Sequence, residues 1–99
     1  MGKAYPNPFC PSTNINYVLP YRWDKDGKMI TRDYVVAIEL FDIKGRKVRT
    51  LVHRKMGPGS YQAYWDGKSS SGRVVASGHY YCRLKAAPFE AVRKLTLVR

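Results

Sequence analysis

Ninety-nine residues, 44% hydrophobic and 13% aromatic, are enough for one packed core and too few for two. Eighteen lysines and arginines against seven acidic residues leave a formal charge of +11, a field that draws polyanions and favours salt-sensitive association without naming a partner. No apolar run approaches the ~20 residues of a membrane-spanning helix, and the front of the chain lacks the apolar stretch of a secretory signal.

Met1-Gly2-Lys3 reads as a natural start or as a short leader on a domain cut from a longer protein. Pro6, Pro8 and Pro11 then exclude both a helix and a central strand, so residues 1–13 read as an extended lead-in and residues 14–99 as the domain. In residues 14–19 the alternation of Ile15, Tyr17 and Leu19 predicts a half-buried strand that Pro20 stops. Residues 21–33 are charged around Asp26-Gly27 and predict a projecting loop or small hairpin. Asp24-Lys25-Asp26-Gly27 does not make a calcium loop, because the later bidentate Glu is missing and Val35 stands there.

Residues 34–42 predict the central strand, with Val36, Ile38 and Leu40 on one face and Ala37, Glu39 and Phe41 on the other. Lys44-Gly45 turns the chain and residues 46–52 return as the partner strand. Gly57-Pro58-Gly59 breaks it, Tyr61, Ala63 and Trp65 alternate inward up to Asp66-Gly67, and residues 69–72 form a flexible turn. A short strand is expected over residues 73–76, a kink at Ser77-Gly78, and a strand over residues 79–85 with Tyr80, Cys82 and Leu84 inward. After Pro88 the final strand places Leu95 and Leu97 inward and Lys94 and Thr96 in water.

About seven short strands separated by turn signals predict an all-β fold, an immunoglobulin-like antiparallel sandwich without the Cys-Trp-Cys order of antibody domains. Cys10 and Cys82 form no CxxC. A disulfide between them, worth about 4 kcal/mol if the geometry allows it, and two separate thiols with one buried are both open. His53 and His79 sit near no carboxylate or serine arrangement, and a Cys10, Cys82, His53, His79 set matches no zinc spacing, so neither catalysis nor a cofactor is expected. Lys44, Arg46, Lys47, Arg49, Arg54 and Lys55 form the densest basic stretch, readable as a phosphate-binding patch or as solvated, edge-protecting charge. Tyr61, Trp65 and Tyr80 are expected inward, which leaves few aromatics to stack bases and ranks nucleic acid last among the partners.

Several stretches carry a family resemblance in order along the chain: "YPNPFCPSTNINYVLP", "LFDIKGRKVRTLV", "YWDGKSSSGRVVASGHYYCRL" and the terminal "VRKLTLVR". Together they resemble the C-terminal sorting domains of type IX secretion cargo and the related immunoglobulin-like domain of the flagellar hook-capping protein. Cys10 stands where those families usually carry Asn, and the 21–33 loop is longer than theirs. The resemblance implies a non-enzymatic module of a secreted or cell-surface protein, passing through the periplasm and read by an outer-membrane translocation machine. It also implies that Lys94, Leu95, Leu97 and Arg99 are read, with Gly45, Gly67, Gly72 and Gly78 shaping the turns. A terminal strand on a sheet edge suits such reading, because a receptor can pair with its free amides and carbonyls. A structural role in a surface appendage or multidomain protein rests on the same edge, and an anionic cell-surface polysaccharide is a further expected partner for the charge.

Overall fold

The computed structural model describes residues 12–98 and, ahead of them, the paired backbone of Ala4 and Tyr5. Strands β1 (Ala4–Tyr5), β2 (Thr13–Leu19) and β7 (Gly59–Trp65) form one antiparallel sheet in the order β1-β2-β7. Strands β5 (Tyr34–Asp42), β6 (Lys47–Met56), β8 (Gly78–Ala86) and β9 (Phe89–Leu97) form the other, in the order β6-β5-β8-β9. Between β2 and β5 lies a separate hairpin of β3 (Arg22–Trp23) and β4 (Met29–Ile30). The chain is all-β and immunoglobulin-like, as the turn spacing and alternation require.

The core lies between the two sheets. From the three-stranded side come Ile15, Tyr17, Leu19, Ala63 and Trp65; from the four-stranded side come Val36, Ile38, Leu40, Cys82, Leu84, Leu95 and Leu97. Every one of these positions alternates with a more exposed neighbour, so the period of two that marks the strands also selects the dry face. Trp65 is fully buried, its Nε1 donates to the Lys68 carbonyl at 2.9 Å, and its ring meets Tyr80 edge-on at 5.4 Å. Inward tyrosines need somewhere to put a hydroxyl. Tyr61 and Tyr80 donate to the carbonyls of Gly57 and Ala76, each four residues upstream, and Tyr34 donates to Pro20. Each tyrosine therefore fills the core with its ring and ties down a connecting segment with its tip.

Three differences from the sequence reading have local causes. Strand β6 runs four residues beyond 52, and its register against β5 shifts between Ile38 and Glu39 and again between Leu40 and Phe41. Those bulges turn both Val48 and Leu51 onto the core although they lie three apart. The expected strand over residues 73–76 reduces to a single bridge, Lys68 to Val74, because the tight turn at Ser69 and Gly72 leaves no room for a ladder. The hairpin turns are not two-residue turns: at Asp42 and Gly45 a carbonyl-to-amide bond spans four residues, and Gly45 at φ +81° supplies the left-handed step that follows. Asp24 and Gly27 repeat the device, with Asp24 Oδ1 accepting from the amides of Asp26 and Lys28 at 2.9 Å each. The Asp24 carboxylate is thus engaged in turn formation. The proline lead-in at Pro6, Pro8 and Pro11 lies outside the described residues.

Candidate recognition edge

Strand β9 starts directly after Pro88 and pairs with β8 over its whole length, from Ala86 opposite Phe89 to Gly78 opposite Leu97, with no register shift. It is the outermost strand of its sheet, and among the described residues no strand lies on its other side. Its outer row of amides and carbonyls is the kind of edge that accepts another strand.

The register decides which side chains such a strand would meet. Leu95 and Leu97 are buried to 0% and 1% exposure, so they hold the edge in place rather than present themselves to a reader. Val92, Lys94 and Thr96 lie on the outer face, opposite Arg83, Tyr81 and His79, and Thr96 Oγ1 sits 3.1 Å from His79 Nδ1. Arg93 lies opposite Cys82, on the core-facing side, yet is exposed. A charge at an inward position on an edge strand discourages indiscriminate pairing. Two residues before Leu95, Arg93 falls on the inward side by alternation; its exposure is visible only in the structure. Arg99, the last of the expected read residues, lies outside the described residues.

Beside the edge, the outer face of the sheet is held by charge. Glu39 accepts from Arg83 at 3.1 Å and from Lys47 at 3.4 Å, and Arg83 stacks over Phe41 at 4.7 Å. The hydrogen bond from Arg83, aided by Lys47, holds the Glu39 carboxyl below its ordinary value against the opposing effect of burial. An apolar depression lined by Phe41, Ile43, Tyr81 and Val92 adjoins it.

The basic stretch is divided rather than gathered. Arg46 pairs with Asp42 at 3.0 Å, Lys47 with Glu39 at 3.4 Å, and Arg49 with Asp66 at 2.6 Å, while Lys44, Arg54 and Lys55 form no ion pair among the described residues. Arg49 and Asp66 join the two sheets, so that arginine is a structural tie. Cys82 is a free thiol, fully buried, and burial pushes it up to about 12; Cys10 lies outside the described residues. Among the described residues no three His, Cys, Asp or Glu side chains gather to hold a metal ion. No helix among them is long and apolar enough to cross a membrane.

Two solved structures share this architecture. The dimeric latent form of PorU from Porphyromonas gingivalis matches over 97% of this chain at 20% identity, with a TM-score of 0.66. PorZ, a bacterial surface component of the type-IX secretion system of the same organism, matches over 98% at 17% identity, with a TM-score of 0.56. The chain spans 9% and 11% of the lengths of those two proteins, and at these identities the likeness shows the fold. No curated protein matches it in sequence. The FlgD Ig-like domain family matches residues 32–88, from the approach to β5 through the end of β8. With more than half of its length covered in this way, the chain belongs to the FlgD Ig-like domain family.

Proposed function

We propose that this domain is a non-enzymatic sorting module of a secreted or cell-surface protein, recognised by the outer-membrane type IX secretion machinery through its terminal strand. The observation that carries the reading is the place of β9: outermost in its sheet, with Leu95 and Leu97 anchored in the core and a backbone edge turned outward. A receptor strand laid along that edge gains main-chain hydrogen bonds, and Lys94 and Arg93 bias the encounter towards an acidic partner. The likeness to PorU and PorZ supports the same reading at the level of fold.

The test is delivery of a reporter fused ahead of the domain in a host with type IX machinery. Removing residues 94–99 is expected to abolish surface delivery, and normal delivery of the truncated fusion would end the hypothesis. Because that truncation also removes two core leucines, a second variant is needed. Arg93→Glu with Lys94→Glu leaves the core intact and is expected to reduce delivery several-fold while the melting temperature of the domain holds. A second reading, a structural module of a surface appendage or a longer extracellular protein, uses the same edge for pairing between copies and differs in its readout: concentration-dependent self-association.

A further inference from the structure

The β3–β4 hairpin has its polarity inverted. Arg22 pairs with Ile30 and Trp23 with Met29, so each pair shares one face. The face turned to the body carries the half-buried Ile30 and Arg22, whose guanidinium lies over the Tyr34 ring at 4.0 Å and donates from Nη2 to the Arg32 carbonyl at 3.0 Å. The face turned to water carries Trp23 at 60% exposure and Met29 at 51%, with Tyr21 close by at 58%. Hairpins ordinarily bury the apolar pair and hydrate the charge. Here the stem is pinned by arginine and the tip is set by the Asp24 turn, so the apolar face is held in place and outward.

We propose that this finger is a docking surface for an anionic lipid bilayer, with Trp23 and Met29 entering the interface. Size and charge argue for that occupant. Two strands of two residues, paired only with each other, present a small tip, far from the about 800 Å² per partner of a standard protein interface. A bilayer needs no such area: indole and thioether groups settle at the level of the headgroups, and basic side chains nearby supply the attraction. At the tip Lys25 and Lys28 are offset by Asp24 and Asp26, so the attraction comes from the basic residues behind it. The same end of the sandwich carries Arg54 and Lys55, in register with Val36 and Val35 where β5 begins, and the whole chain bears +11. This surface contains no residue of β9 and its test reads lipid binding rather than delivery, so its fate does not decide the sorting proposal.

The chain carries its own probe. It has two tryptophans, and Trp65 is at 0% exposure, so a change in emission on adding vesicles reports on Trp23. With phosphatidylglycerol vesicles at low salt, emission is expected to shift to the blue, while phosphatidylcholine vesicles leave it in place. Trp23→Ser with Met29→Ser is expected to weaken co-sedimentation with phosphatidylglycerol by about tenfold or more, with unchanged thermal unfolding because neither side chain belongs to the core. Equal co-sedimentation of the double variant would mean that charge alone holds the protein to lipid, and would overturn the proposal. Emission that stays red with both lipids would overturn it too, and would reassign the face to a protein partner.

Discussion

In β5 the side chains turned to the opposite sheet are Tyr34, Val36, Ile38 and Leu40, whereas in the β3–β4 hairpin the body-facing pair is Arg22 and Ile30 and the outward pair is Trp23 and Met29. Both regions alternate with the same period. What differs is the cover: β5 lies under a second sheet, while the hairpin pairs with no other strand and meets the body through Arg22, which sits over the Tyr34 ring. Alternation sorts residues into two sides; the packing partner decides which side is dry.

The sharpest way to break this comparison is to remove a tryptophan from each region. Trp65→Ala deletes a fully buried ring, its hydrogen bond to Lys68 and its edge contact with Tyr80, and is expected to cost about 3–5 kcal/mol, enough to unfold a marginal domain. Trp23→Ala removes a ring that is 60% exposed and outside the core, and is expected to stay within about 0.5 kcal/mol. Denaturant melts of both variants decide it. A loss for Trp23→Ala comparable to that for Trp65→Ala would show the finger to be part of the folding core.

A smaller effect separates the two turns. Gly27 and Gly45 hold nearly the same left-handed angle, +79° and +81°, and an added Cβ meets nothing within 4 Å at either, so alanine imposes the same backbone strain at both. At position 45 the strain sits between two long core strands and is expected to appear in full, at about 1–2 kcal/mol. At position 27 the finger can open locally without the sandwich, and the global loss is expected to be smaller. Equal losses in chemical unfolding would mean that finger and sandwich melt together.

How far the sequence reveals all this depends on the same distinction. Ile15, Tyr17 and Leu19, or Val36, Ile38 and Leu40, announce their strands because each regular ladder repeats one signal several times. Val48 and Leu51 do not, since bulges change their period, and residues 73–76 look strand-like but keep only the bridge at Val74 beside the Ser69 turn. At the recognition edge, the inward sense of Leu95 and Leu97 is legible from alternation. The exposure of Arg93 is not, because the same alternation assigns it to the core-facing side. The ion pairs that divide the basic stretch are equally hidden, since Arg49 and Asp66 meet across two sheets while Lys47 and Glu39 meet across a bulged ladder.

The smallest expected effect lies on the outer face of β5, where Glu39 points away from the core as Trp23 does in the finger, but is largely covered by its charged partners Arg83 and Lys47. Its carboxyl sits below the ordinary range, first because of the Arg83 hydrogen bond and then because of Lys47. A carboxyl whose pKa is lower folded than unfolded binds fewer protons in the native state. Its stabilising contribution is therefore complete above the unfolded pKa and fades as the pH falls through the folded one. Glu39→Gln removes that contribution, so wild type and variant should differ most above about pH 5 and converge in stronger acid, with a plateau difference of about 1 kcal/mol for a pair whose side chains are 17% and 33% exposed. Asp42, lowered by the Arg46 and Lys44 amides and the Arg46 side chain, titrates in the same direction in both proteins and cancels from the difference. Urea melts from neutral pH into acid would show it. A gap that widens with acidification would mean that Glu39 is held protonated in the fold, and that Arg83 is not its partner in solution.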